Sequence, residues 1–314
     1  MASDFPDEEF VALFEQHGPA ETARRLGLSD RATFKRREMI ERRLGRQIRA
    51  PGAMNKTRVG IDYPGRLEYE IRNGTVLVSS DCHYWKGIVP VAHRALVSFI
   101  KELRPKAVIK NGDVFDGARV SRHPPINWEE RPSVIDEIEG CQERLLEIQK
   151  AAKTADLFWP LGNHDSRFET RLATSAPDYA RVKGFHLKDH FSERWKPCWS
   201  VFINNEVVVK HRFKGGIHAA HNNTLWAGKT LVTGHLHSLK VTPFTDYNGT
   251  RWGVDTGTIA DVYGPQFTYL EDNPVNWRSG FAVLTFVDGR LLWPEVCHVI
   301  GPNEVEFRGK VVRV

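Results

Sequence analysis

Five short apolar runs in this chain each stop at residues able to ligate a metal. Residues 75–80 run into Asp81-Cys82-His83, and residues 107–110 into Asn111-Gly112-Asp113, with Asp116-Gly117 close behind. Residues 156–161 run into Gly162-Asn163-His164-Asp165, residues 207–210 into His211, and residues 230–233 into Gly234-His235-Leu236-His237. Helical patterns over 91–103 and 132–152 separate the first three runs. Strand–helix alternation of this kind predicts a parallel sheet with covering helices. Ligands of such sheets bind beyond the carboxyl ends of the strands, so the five run ends are expected to share one rim. Further along, Asn204-Asn205, Asn248-Gly249 and Asp288-Gly289 stand between apolar runs and predict hairpins. They suggest a second, more antiparallel sheet packed on the first.

Carboxylate, imidazole and amide donors together suit Mn, Fe, Zn or Ni better than Mg or Ca. In D-x-H and H-x-H both side chains leave the same side of an extended backbone, so each pair can converge on a metal. Glycines directly before Asp113, Asn163 and His235 are expected to let the chain turn each side chain inward. In order, the segments read SSDCHYW, KNGDVFDG, PLGNHDSR, VVKHRFKGG and TGHLHS.

This series resembles the calcineurin-like metallophosphoesterase superfamily, over residues 81–237. The resemblance implies a four-layer α/β/β/α sandwich. It implies two divalent transition-metal ions, with Mn²⁺ expected and Fe, Zn or Ni as alternatives. Asp81, His83 and His237 would hold one ion, Asn163, His211 and His235 the other, and Asp113 would bridge them. A metal-bridging hydroxide would attack the phosphorus. His164 would protonate the leaving oxygen, with Asp165 orienting it. Arg212 stands where the family often has Gly, which leaves His218 and His221 as alternatives to His211.

Other residues invite a role near this site. Asp116 is expected to orient His164 or a metal water. His123 and Arg122 are candidates for contact with the scissile phosphate, beside Asn163, and Arg119 flanks them. Tyr84, Trp85 and Trp128 are candidates for stacking on a base. Cys82, Cys141, Cys297, His93 and His298 read as packing residues. The four cysteines lie far apart with no C-x-x-C pair, which argues against a zinc ribbon or a disulfide framework.

The first 45 residues have a different character. Helical patterns over 8–16, 20–26 and 31–44 are punctuated by Gly18-Pro19 and by Gly27-Leu28-Ser29. The segment resembles phage and bacterial helix-turn-helix modules. The third helix would then be the recognition helix, presenting Arg31, Thr33, Lys35 and Arg36. Charge is unevenly spread: residues 1–21 carry −6, residues 22–58 carry +9, and the whole chain +5. A local +9 suggests a polyanion partner. The expected organisation is an all-α helix-turn-helix module over 1–48, a linker over 49–74 with room for one strand at 66–71, and an α/β metallophosphoesterase domain over 75–314. Mean hydropathy is −0.42, and no apolar run approaches the ~20 residues of a membrane span. The acidic start lacks an apolar signal segment, so a cytoplasmic protein without membrane partners is expected. A helix-turn-helix joined to a phosphoesterase points to DNA as substrate or address. The leading expectation is a DNA phosphodiesterase or nuclease. One alternative is a phosphatase or cyclic-nucleotide phosphodiesterase whose head docks a partner. Another is a DNA-binding regulator with a vestigial site.

Overall fold

Strand residues of the catalytic half alternate between two apolar cores. Leu77, Val108, Leu157 and Val283 face one core; Val76, Val78, Ile109, Phe158 and Leu284 face the other. A strand buried on both faces belongs at the centre of a layered fold. A computed structural model describes residues 5–46, 48, 50, 63–126 and 128–314. The chain divides into two compact units, Met1–Gly60 and Ile61–Val314.

In the second unit, strands are numbered in chain order. A nine-stranded sheet contains β2 (Gly74–Ser79), β3 (Ala107–Lys110), β4 (Asp156–Pro160), β5 (Trp195–Cys198), β11 (Gly280–Val287), β12 (Arg290–Leu291), β13 (Glu295–Gly301), β14 (Glu304–Phe307) and β15 (Lys310–Arg313). A six-stranded sheet contains β1 (Leu67–Tyr69), β6 (Val201–Ile203), β7 (Val207–Val209), β8 (Thr230–Thr233), β9 (Lys240–Asp246) and β10 (Gly249–Asp255). Strands β2, β3, β4 and β5 are parallel, as are β7, β8 and β10. The two sheets face each other across the core of Val76, Ile109, Val209, Val232 and Val254.

Helices are also numbered in chain order; α1 and α2 belong to the first unit and are described below. Helices α3 (Val91–Leu103) and α4 (Val134–Ala151) cover the outer face of the nine-stranded sheet. Helix α6 (Ala219–Ala227) lies on β8, β9 and β10. A Cβ on Gly253 would sit 1.7 Å from the Ala220 carbonyl, so only glycine admits this approach. The result is a four-layer α/β/β/α sandwich. Helix α5 (Asp165–Ser175) begins at the end of β4.

The three hairpins form, but not all in a second sheet. The 281–294 hairpin joins the first sheet, because β11 pairs antiparallel with β2. Within the linker expected over 49–74, the strand expected at 66–71 is present as β1. Residues 51–62 lie outside the described residues, whereas β1 pairs with β6 and Ile71 is buried in the inter-sheet core.

In the first unit, α1 (Asp7–Leu26) is interrupted at Gly18 (φ 80°, ψ 177°) ahead of Pro19, and α2 spans Asp30–Leu44. Gly27 closes α1 in the left-handed region, and the Ser29 hydroxyl caps α2 by accepting from Ala32 N at 3.2 Å. Phe10, Phe14, Leu26 and Ile40 form this unit's own core. Thr33 does not fit the expected recognition surface. It is buried, and its hydroxyl donates to the Ser29 carbonyl at 3.1 Å. Arg36 is also engaged: it bonds Asp7 at 3.3 Å and lies over the Phe10 ring. Arg31 and Lys35 are exposed, with no acidic partner among the described residues.

Candidate metal centre

The five run ends meet at one rim, as parallel strands require. Strand β2 delivers Asp81 and His83, β3 delivers Asp113 and Asp116, and β4 delivers Asn163 and His164. Strands β7 and β8, from the other sheet, deliver His211, His235 and His237. Two groups can each hold an ion, with ligand atoms within 4.8 Å of one another: Asp81, His83 and His237, and Asp113, His211 and His235. They adjoin. His211 Nε2 lies 3.1 Å from Asp113 Oδ2 and 4.0 Å from Asp81 Oδ1.

His83, Asp116 and His164 form a third compact group. Here the ring atoms facing Asp116 are the Nδ1 atoms, at 3.0 Å from His83 and 2.9 Å from His164, while Trp85 Nε1 donates to Oδ2 at 3.1 Å. Both carboxylate oxygens are therefore spent on hydrogen bonds. Asp116 fixes the two imidazoles rather than binding a metal with them.

The other face of each candidate donor is what tests the fit of a metal. His83 Nε2, His211 Nε2, His237 Nδ1 and Asn163 Oδ1 are buried and have no hydrogen-bond partner. The opposite ring nitrogens of His83 and His211 are taken, by Asp116 and by the Asn111 carbonyl at 2.7 Å. Buried polar atoms are rarely left unpaired. Several such atoms beside two buried carboxylates fit divalent cations. Charge argues the same way. Burial disfavours the His211 imidazolium, yet the Asp113 and Asp81 carboxylates more than offset this and raise its pKa. Burial pushes the Asp81 carboxyl up, and the His237 and His211 imidazoles outweigh it and hold the carboxyl low. The pocket favours positive charge.

The glycines act differently from the expectation at two of three places. Gly112 does take a left-handed φ of 84°. Gly162 and Gly234 matter for space: a Cβ would fall 2.0 Å from Asp113 Oδ1 or 2.5 Å from Asp81 Oδ2.

Asp165 was expected to orient His164, and the contacts say otherwise. Its carboxylate accepts from the backbone N–H groups of Asp113, Val114, Phe115 and Gly162 at 2.8–3.0 Å, and from Trp159 Nε1 at 3.1 Å. It clamps the β3 and β4 loops together. Sequence spacing gave no sign of this, because three of its five partners are backbone N–H groups some 50 residues away. The lone histidine is His211, which is buried; His218 and His221 are on or beside α6, with His221 against Phe244.

Arg122 and His123 are exposed on the loop beside the site. Arg119 is taken up by the Arg131 and Pro132 carbonyls. Of the candidate stacking residues, Tyr84 is buried, Trp128 is 97% exposed, and Trp85 lines a cavity beside His164. Sequence reading overlooked Arg167, whose guanidinium reaches His164 Nε2 at 3.0 Å and the Asp116 carbonyl at 2.9 Å. Its place one helical turn after His164 was the available signal.

Residues 74–277 match the calcineurin-like phosphoesterase family model. The "Gene 54 protein" of Mycobacterium phage L5 is 28% identical over 233 residues, covering 66% of this chain and 87% of that protein. The same figures hold for the "Gene 54 protein" of Mycobacterium phage D29. Among solved structures, wild-type Vps29 of Entamoeba histolytica, complexed with zinc, is 15% identical with a TM-score of 0.41, over 76% of this chain and 98% of that one. The Escherichia coli phosphoesterase YfcE is 16% identical with a TM-score of 0.31, over 70% and 97%. No helix among the described residues is long and apolar enough to cross a membrane. With its family model spanning all five run ends, the chain belongs to the calcineurin-like phosphoesterases and is a metal-dependent phosphoester hydrolase.

Proposed function

We propose that this protein hydrolyses phosphodiester bonds of DNA, using two divalent transition-metal ions, manganese foremost. The observation that carries the hydrolytic site is the set of buried, unpartnered donor atoms on His83, Asn163, His211 and His237. On this reading Asp81, His83 and His237 hold one ion, Asn163, His211 and His235 the other, and Asp113 serves both. Bound metals supply Lewis acidity to the phosphoryl group and activate water at neutral pH.

The chain's own residues do the rest. Asp116 holds His83 and His164 by their Nδ1 atoms, which leaves each Nε2 pointing away from it. His164 Nε2 accepts from Arg167 in this structure, so it passes a proton to the leaving oxygen only from the imidazolium, after the guanidinium has turned from it to the phosphate. Arg167, 3.0 Å from the same nitrogen, places a fixed positive charge where negative charge develops. Asp165 keeps the two loops in register.

The DNA part of the reading is supported by the first unit: a Ser29-capped basic helix after a short Gly-containing turn, with Arg31 and Lys35 exposed. A second reading, in which this unit docks a protein partner, is favoured by its internal charge pairing. Asp7 meets Arg36 and Arg43, Glu15 meets Arg46, and Glu21 meets Arg24 and Arg25. The deciding experiment is a substrate panel with Mn²⁺: bis-p-nitrophenyl phosphate, p-nitrophenyl phosphate, cyclic nucleotides, and single- and double-stranded DNA. DNA turnover that is lost with Asp113→Asn supports the proposal. Turnover of the small esters or cyclic nucleotides without DNA cleavage refutes the DNA reading.

A further inference from the structure

Four arginines line a groove of about 490 Å³ that begins at the candidate ligand Asn163: Arg122, Arg167, Arg171 and Arg212. They come from three separate segments. Arg167 and Arg171 lie one turn apart on α5, on the face that also carries Thr170 and Thr174. Arg122 comes from the loop after β3, and Arg212 directly follows His211.

No carboxylate lines the groove. Arg122, Arg171 and Arg212 make no ion pair among the described residues, whereas arginines elsewhere in this unit, such as Arg131, Arg251 and Arg308, are each paired with an acid. Cations gathered without counterions repel one another, and the arrangement is relieved by a bound polyanion. A cavity of about 520 Å³ adjoins the groove and shares Ser121, His123 and Arg167 with it. Trp85, Phe267, Tyr269, Pro124 and Ile126 give it aromatic and apolar walls, and His164 opens into it. Cationic groove and aromatic cavity therefore flank the reacting position.

Resting on the phosphodiesterase reading above, we infer that the substrate is an unpaired DNA strand. The arginine groove holds the phosphate next to the scissile one, and the aromatic cavity receives a neighbouring base. A base can enter such a cavity only when it is out of the duplex stack.

The test uses the full-length Mn²⁺-loaded enzyme and a series of substrates: bis-p-nitrophenyl phosphate, then single-stranded di-, tri- and tetranucleotides, then a duplex of the same sequence. In the wild-type enzyme kcat/KM is expected to step up by about tenfold or more when the second phosphate is added, the scale of one charge-assisted contact. R171A/R212A is expected to flatten that step and to reduce the salt slope of oligonucleotide binding by about 1 per arginine. The residues are exposed, and thermal melting checks that the variant folds. The duplex should be cut more slowly than the single strand. A step that survives in R171A/R212A overturns the inference, as does a duplex cut as fast as the single strand. If dinucleoside polyphosphates show the arginine-dependent step and oligonucleotides do not, the nucleic-acid assignment falls. If bis-p-nitrophenyl phosphate is hydrolysed and no nucleotide diester is, the DNA reading itself has failed and the strand inference falls with it.

Discussion

Asp81, His83, Asp113, His235 and His237 all have positive φ, between 42° and 74°. Non-glycine residues there cost on the order of 1–3 kcal/mol each and persist only where their surroundings enforce them. Two kinds of contact do so. Asp165 gathers four backbone N–H groups, and Gly162 and Gly234 let the loops close onto Asp113 and Asp81. Gly162→Ala is therefore expected to displace the Asp113 carboxylate. Elemental analysis should find fewer than two metal ions per chain while far-UV circular dichroism stays native; full metal content would remove this role. His164 lies outside that strain, since its φ of −75° is ordinary. His164→Ala should keep its metals yet lower turnover of unactivated esters by roughly 10²–10⁴, the usual scale of general acid catalysis. The loss on p-nitrophenyl esters should be smaller, because their leaving group needs less protonation. Equal losses on both would leave His164 with charge stabilisation only.

At the scale of elements, α4 supports the site through one buried carboxylate. Ser133 caps the helix by accepting from Asp136 N at 3.2 Å. One turn on, Glu137 accepts from Gly117 N at 2.6 Å and Ala118 N at 2.9 Å, tying the helix to the loop that carries Asp116. Burial, reinforced by the charge of Asp116, raises the Glu137 carboxyl from 4.5 to about 8. Between those values the folded chain keeps a proton that the unfolded chain has lost. Stability from this group thus falls as pH rises from about 4.5 to about 8, then levels off. Glu137→Gln removes the titration and adds a pH-independent cost of about 1–3 kcal/mol, since one backbone donor then faces an amide NH₂. The gap in melting temperature between wild type and variant should narrow from pH 5 to pH 8, and a constant gap would refute the shifted carboxyl. What was legible in the sequence follows the same physics. Helix α3 and strands β3 and β8 were placed to the residue because each has a clear apolar period and a sharp stop. Helix α5 buries only Asp165 and Phe168, and α6 buries Ala219, Ala220, Asn223 and Thr224, so neither shows an apolar stripe to read. The candidate ligands stood out because each follows a strand. The Asp165 clamp and the Arg171–Arg212 groove did not, because their partners come together only through the fold.

Charge is a property of the whole molecule, and the structure redistributes it. The +9 of residues 22–58 looks like a nucleic-acid footprint until the −6 of residues 1–21 is placed against it. Asp7, Glu15 and Glu21 pair with five arginines, and Glu38 and Glu41 with two more on α2. Exposed pairs of this kind contribute little stability, about 0–1 kcal/mol each. They do occupy cations that a phosphate would otherwise meet. Arg31 and Lys35 are then the α2 cations without an acidic partner among the described residues, and on the proposed DNA reading they are the ones left for a phosphate. Each phosphate contact changes the slope of log K against log salt by about 0.9. On the DNA reading, R31A/K35A should reduce the magnitude of that slope by about 2, whereas an R36A variant, whose guanidinium is already held by Asp7, should change it by less than 1. Neither change should alter hydrolysis of bis-p-nitrophenyl phosphate, because every candidate ligand lies beyond Ser80, in a unit with its own two cores. Fluorescence anisotropy of a labelled oligonucleotide across a salt series measures both slopes. A slope unchanged by R31A/K35A would move the first unit from DNA reader to partner dock, and would leave the case for a DNA substrate to the arginine groove alone.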